Sequence, residues 1–309
     1  MHIDIPPLVA SGELQVVASV SGGKDSTALM LALREAGLPF RAVFADTQWE
    51  APETYAYLDT LRAKLGIAID VVGVEGGMVA RIRNRASFPA RMQRWCTREL
   101  KIEPLRAYHD RLIEETGVET VSAMGVRAEE STERAKMSVF EDECEGARSW
   151  GGYLWRSLLA WTIADVIAIH RRHDVPMNPL YHLGFDRVGC FPCIYARKNE
   201  IALLASHAPD RIDVIETLER DVESIRSTRN AESIGRYAYT RGGFFQTSGR
   251  GASVEEKSGD DRFTSIRDIV AWSRTSHGGR QLPLLAEPPT GGCMRWGLCE
   301  PPPKPVAAE

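Results

Sequence analysis

The sequence predicts an α/β fold: a doubly wound parallel sheet followed by a helical, cysteine-containing C-terminal part. Three observations carry this expectation. Short β-branched apolar runs alternate with stretches of helical spacing. Glycines stand where one pattern gives way to the next. The passage Ser21-Gly-Gly-Lys-Asp-Ser26 has the composition of an anion-binding loop between a strand and a helix.

Leu14 to Val20 reads as a strand, and Ser26 to Ala36 as a helix stopped by Gly37. A second strand is expected at Phe40 to Ala45, a helix from Glu53 to Leu65 halted by Gly66, and a third strand from Ile67 to Val74. Arg98 to Thr116 has helical spacing, and Glu119 to Met124 reads as a fourth strand closing on Gly125. Such alternation implies parallel strands joined by right-handed crossovers. Further on, a short helix is expected from Trp161 to Ala168, then extended chain over Met177-Asn-Pro-Leu-Tyr181 and a cysteine turn. A long amphipathic helix follows over Lys198 to Arg226, a mobile loop over Thr240 to Arg262, and a last helix over Thr264 to Ser273. The expected division is an α/β domain over residues 1–185, then a helical region with the cysteine cluster and a Pro-rich tail over 186–309.

Of the 309 residues, 43% are apolar and 26% charged, which suits a folded chain with a large core rather than a disordered one. A net charge of -4 gives no global basic field, so any nucleic-acid contact must come from a local patch. The first residues lack a secretory pattern and no apolar run is long enough for a membrane span, so a cytoplasmic location and no membrane partner are expected. Six cysteines are too few for a disulfide scaffold, and their clustering points to metal or redox chemistry.

At the loop, backbone amides and the positive end of a helix dipole converge on one point. Gly22 and Gly23 allow close approach, Ser21 and Ser26 add hydroxyls, and Lys24 adds a cation for phosphate oxygens. Asp25 is expected to cap the helix or to help hold Mg²⁺. The spacing is not that of the Walker loop. It resembles the PP-loop of N-type ATP pyrophosphatases, which implies a Rossmann-like, adenine nucleotide alpha hydrolase-like fold that cleaves ATP to AMP and pyrophosphate. The same resemblance puts Asp46 and Thr47 near the adenosine.

Phe44-Ala-Asp-Thr-Gln-Trp-Glu50, Trp95-Cys-Thr-Arg-Glu-Leu-Lys101, Gly125-Val-Arg-Ala-Glu-Glu-Ser131 with Arg134, and Asn178-Pro-Leu-Tyr181 together resemble the phosphoadenosine phosphosulfate reductase family. In physical terms Arg127 and Arg134 offer forked donors to an anionic substrate, or else pair with Glu129, Glu130 and Glu133 on a solvated surface. True reductases of the family have a loop without the lysine and a C-terminal Glu-Cys-Gly-Leu-His motif. This chain keeps Lys24 and ends in Gly297-Leu-Cys-Glu300. The closer resemblance is therefore to the ATP pyrophosphatases of DNA phosphorothioation and to reductase-like phage proteins. Catalytic roles are thereby implied for Lys24, Asp25, Arg127 and Arg134.

Iron–sulfur reductases of the family place a cysteine pair where this chain has Cys96-Thr97, so that Thr97 replaces the second cysteine, and a C-x-x-C where it has Cys190-Phe-Pro-Cys193. The resemblance implies a [4Fe–4S] cluster on Cys96, Cys190, Cys193 and Cys299, with Cys293 as the other candidate for the last position. Four sulfurs also suit zinc, and unliganded redox thiols are the third reading. Cys144 sits among carboxylates that disfavour its thiolate, and it is left out of the site.

Arg81-Ile-Arg-Asn-Arg85 with Arg91, Arg94 and Arg98 is the best local patch for a polyanion, or a solvated helix face. His170, His173 and His182 lack metal-ligand spacing and are read as surface or core, and Trp155 and Trp161 as parts of a packed turn. The main expectation is an ATP pyrophosphatase that adenylates a substrate for sulfur transfer. Its partners would be ATP, a sulfur donor such as a cysteine desulfurase, a nucleic-acid substrate on the basic patch, and a second copy of the chain. The alternatives are a sulfonucleotide reductase and a zinc-stabilised nucleic-acid adaptor.

Overall fold

The computed structural model describes residues 3–142, 151–232, 240–245 and 263–275. Its sheet has six strands: β1 (Leu14–Val20), β2 (Phe40–Asp46), β3 (Ile69–Gly73), β4 (Glu119–Ala123), β5 (Phe140–Glu141) and β6 (Tyr153–Trp155). Their order is β3-β2-β1-β4-β6-β5. All neighbours are parallel except the β5–β6 pair at one edge. The order reverses between β1 and β4, so the loops leaving these two strands open a crevice at their C-terminal ends.

The central strand β1 is buried on both faces, as expected of a parallel strand covered by helices on each side. On one face, helix α1 (Lys24–Glu35) and helix α2 (Pro52–Leu65) bury Leu29, Leu31, Leu33, Leu58 and Leu61 against Val16, Ala18 and Phe44. On the other, Leu105, Tyr108 and Leu112 pack on Val17, Val43 and Ala45. A third core joins Trp49, Met78, Ile82, Phe88, Trp95 and Leu100 to Ile201, Leu204, Ile215 and Phe244 from the C-terminal part. Residues on both sides of position 185 thus share one apolar cluster.

The first four expected strands are present, the third shortened to Ile69–Gly73. Helix α3 (Gly77–Arg85) carries the basic run. A π-helical turn (Arg98–Ile102) leads into α4 (Glu103–Thr116), and this pair fills the predicted Arg98 to Thr116 helix. Helix α5 (Ile163–Arg172) starts later than Trp161 because Thr162 caps it, its hydroxyl accepting from the Asp165 amide. The predicted helix over Lys198 to Arg226 is instead two, α6 (Lys198–His207) and α7 (Pro209–Glu232). Ala208 lies outside helical geometry, as a residue before proline tends to. Helix α8 (Ile266–Ser273) begins after the Ser265 cap. The start of the expected mobile loop is anchored: Phe244 is buried and stacked on Trp49 with ring centroids 5.8 Å apart.

Candidate functional site

The site is built where β1 ends. Gly22 adopts φ +73°, and a Cβ there would lie 2.7 Å from the Thr54 methyl, so both backbone and space call for glycine. Gly23 precedes α1 without any side-chain cap. The turn is closed internally: the Ser21 amide donates to the Ser26 hydroxyl at 3.1 Å, and that hydroxyl donates to the Gly23 carbonyl at 3.0 Å. Lys24 is buried, its ammonium 2.7 Å from Asp25 Oδ2 and 5.4 Å from the centre of the Tyr181 ring.

Asp25 does not cap the helix, and each of its oxygens is paired with a cation. Its second oxygen accepts from Arg127 Nε at 2.6 Å, across the crevice between β1 and β4. Burial works against this carboxylate, but Lys24 and Arg127 outweigh it and hold its pKa below the ordinary value. Arg127 is itself buried and also donates to Glu129 at 2.6 Å. Gly125 makes the crossing possible, since a Cβ on it would sit 2.5 Å from the Asp25 carbonyl oxygen. Arg134 pairs with Glu130, the ion pair weighed in the sequence.

Three side chains far along the chain hold the loop from behind. Asn178 Nδ2 donates to the Gly22 carbonyl at 3.1 Å, and the Tyr181 hydroxyl accepts from the Lys24 amide at 3.2 Å. His170 is buried with Nε2 2.9 Å from the Lys24 carbonyl. Asn178 and Tyr181 belong to a motif quoted from the sequence, although only the fold shows what they touch. His170 is a core histidine, as one of its two readings had it, but one set against the loop.

At the end of β2, Asp46 accepts from the Tyr55 hydroxyl at 2.8 Å and from the Gln48 amide at 2.8 Å. Thr47 is turned to Glu50, donating its hydroxyl at 2.7 Å and its amide at 3.2 Å. Glu50 is buried and bridges in antiparallel fashion to Cys190. The Phe191 amide donates to the Trp49 carbonyl at 2.8 Å, and the Trp49 indole to the Pro192 carbonyl at 3.1 Å. The cysteine turn is therefore fastened to the segment that leaves the end of β2. Glu50 was not singled out in the sequence, where it is one acid among 42 Asp and Glu.

Cys96, Cys190 and Cys193 are not joined by disulfides and line one cavity of about 230 Å³, together with Lys101, Thr97, Arg94 and Arg187. Burial raises the Cys96 thiol pKa, and the Cys190 and Cys193 sulfurs raise it further. Burial also raises that of Cys190, against the pull of Lys101. The Cys190 sulfur in turn keeps Lys101 firmly protonated. Cys144, Cys293 and Cys299 lie outside the described residues. Among the described residues no three His, Cys, Asp or Glu side chains converge on a single metal ion, the three histidines included.

The basic run is largely neutralised. Arg81 and Arg85 pair with Glu99, Arg83 with Asp221 at 2.8 Å, and Arg98 with Glu103 at 2.9 Å. Arg91 and Arg94 instead place their guanidinium groups over the Tyr195 ring, 5.5 and 5.4 Å from its centre, and Arg94 and Tyr195 also line the thiol cavity. Among the described residues no helix is long and apolar enough to cross a membrane.

Residues 15–196 match the phosphoadenosine phosphosulfate reductase domain. An uncharacterized 37.8 kDa protein of Escherichia phage 186 is 31% identical over 87% of this chain and 91% of its own length. An adenosine 5'-phosphosulfate reductase of Mesorhizobium japonicum is 30% identical over 58% of this chain, which spans 66% of that relative. Among solved structures, the phosphoadenylyl-sulfate reductase of Candida auris in complex with phosphate covers 62% of this chain and 98% of its own, at 19% identity and a TM-score of 0.44. With more than half of its length matched, from the phosphate loop through the cysteine turn, the chain belongs to the phosphoadenosine phosphosulfate reductase domain family.

Proposed function

We propose that this chain is an ATP pyrophosphatase that adenylates an acceptor for sulfur transfer. The observation that carries this reading is the buried cation of the loop: Lys24, braced by Asp25 and Arg127 at the point where strand order reverses. An acceptor oxygen would attack the α-phosphorus of ATP, the bond from that phosphorus to the β-bridging oxygen would break, and pyrophosphate would leave with the electron pair. Lys24 and the amides of the first helical turn suit the charge gathering on pyrophosphate. The adenylated oxygen then becomes a leaving group for a sulfur nucleophile, and AMP departs.

Both Asp25 oxygens face cations, which favours a bracing role for Asp25 over the Mg²⁺ ligand expected from the sequence. Mg²⁺ would arrive on the phosphates of the nucleotide itself. The three thiols border one cavity, and the family resemblance leads us to read them as ligands of a [4Fe–4S] cluster on Cys96, Cys190 and Cys193, with Cys299 as the fourth ligand; such a cluster would supply an electron-transfer or sulfur-binding centre. Anaerobically purified protein is then brown with stoichiometric iron, and a colourless, zinc-loaded protein would overturn the assignment.

The exposed rim of Arg91 and Arg94 around Tyr195 supports a polynucleotide as the acceptor. The deciding experiment incubates pure protein with ATP and Mg²⁺, with and without single-stranded oligonucleotide, and separates AMP plus pyrophosphate from ADP. AMP is expected, and more of it with the acceptor present. A double Arg91→Ala, Arg94→Ala variant should lose that stimulation and flatten the salt dependence of oligonucleotide binding by about 0.7 per lost phosphate contact. Arg83→Ala, whose charge is already paired, should not. ADP formation would overturn the pyrophosphatase reading, and binding of adenylyl sulfate but not ATP would move the chain to the reductase reading of its named relatives.

A further inference from the structure

We infer that His170 is a positioning residue that takes up a proton when the loop receives a polyphosphate, so that the empty and loaded loops differ by one charge behind Lys24. The inference rests on the nucleotide reading above and deepens it. His170 is 2% exposed. Its two ring nitrogens each face a backbone carbonyl oxygen: Nε2 lies 2.9 Å from that of Lys24, and Nδ1 3.1 Å from that of Val175.

Carbonyl oxygens only accept, and a neutral imidazole carries a single N–H. In the neutral ring one of these two contacts therefore sets lone pair against lone pair. An imidazolium turns both into charge-assisted hydrogen bonds. The geometry is thus made for a cation, while the burial resists one.

The groups that tilt the balance are known. Burial lowers the pKa of His170, the two carbonyls and Asp25 push it up, Lys24 pushes it down, and the net position is below the ordinary value. The ring is neutral in the empty protein. Phosphate oxygens arriving at the loop add negative charge and offset the Lys24 ammonium, the charge that opposes protonation. The proton then goes onto the ring nitrogen that faced a carbonyl with its lone pair. Both bonds close, and the carbonyl that opens α1 is fixed from behind at the moment its amides meet the ligand.

The sign follows. A group whose pKa is higher in the complex than in the free protein strengthens binding at low pH. The gain is lost as pH rises through the value in the complex, by at most about tenfold in affinity per pH unit for one proton.

Titration calorimetry of the full chain with ATP and Mg²⁺, near neutral pH in two buffers of different ionisation enthalpy, tests this directly. The expected heat depends on the buffer with the sign of proton uptake, a fraction of one proton per nucleotide. His170→Gln, whose amide donates and accepts but does not titrate, should bind with no buffer dependence. Identical wild-type heats in both buffers, or uptake that persists in the variant, would overturn the role. Should the variant fail to fold, ¹⁵N-histidine spectra of the wild type decide. One buried ring must change from a neutral to an imidazolium signature on adding ATP, and no such change overturns the inference. Binding without proton uptake removes only this role for His170, whereas no heat with any adenine nucleotide removes the nucleotide reading as well.

Discussion

Replacing Lys24 by Met should lower AMP and pyrophosphate formation by about 10²–10³-fold while leaving the protein folded. Methionine keeps the length and apolar stem of the side chain and removes only the charge. That charge stands at the start of α1, 2.7 Å from Asp25. Asp25 would not be stranded, because Arg127 still reaches its other oxygen at 2.6 Å. An uncompensated buried carboxylate, the usual cause of severe destabilisation in such a change, is thereby avoided. Steady-state release of AMP gives the activity arm and thermal unfolding the stability arm. Arg134→Ala is the comparison: that side chain pairs with Glu130 and should change AMP formation only a few-fold. Activity of the Lys24 variant within a few-fold of wild type would show that the cation does not meet the phosphates.

The parts of the molecule legible in the sequence are those written in local pattern. Leu14 to Val20 is apolar at nearly every position because β1 is buried on both faces, and the loop follows it within one residue. The short strands β5 and β6, two and three residues long, leave no such pattern. Their pairing comes from tertiary context, since β6 continues the sheet beside β4. The break at Ala208 was readable from Pro209 and was masked by continuous amphipathic spacing on either side.

The site divides along the same line. The anion-binding turn is local, whereas what orients it is not: Arg127 meets Asp25 across 102 positions, Tyr181 meets Lys24 across 157, and His170 meets Lys24 across 146. Residue type alone placed Arg127 and Arg134 in one class. Only the fold separates a guanidinium that crosses the sheet's switch point from one that pairs with a carboxylate four residues back.

The same crossing sets the second large effect. Gly125→Ala should reduce ATP affinity and AMP formation by more than about tenfold and cost about 1–3 kcal/mol of stability, the range for overpacking a close contact. The added methyl would stand 2.5 Å from the Asp25 carbonyl oxygen, 2.8 Å from its carbonyl carbon and 3.1 Å from the Ser26 amide nitrogen. All three are backbone atoms of the first turn of α1, so no rotamer change relieves the clash. Either β4 or the turn must move, and Arg127, two residues beyond Gly125, moves with it relative to Asp25. The bond most exposed to that shift is the 2.6 Å contact between Arg127 Nε and Asp25, whose geometry falls off within a few tenths of an ångström. Gly37→Ala separates this effect from ordinary loss of glycine. Gly37 has φ +67° but nothing within 4 Å of a Cβ, so its variant should lose stability without losing affinity for ATP. Calorimetric ATP binding and thermal unfolding on both variants give the comparison. If Gly125→Ala binds ATP as tightly as Gly37→Ala does, the packing of β4 against the phosphate loop does not set the geometry of the site.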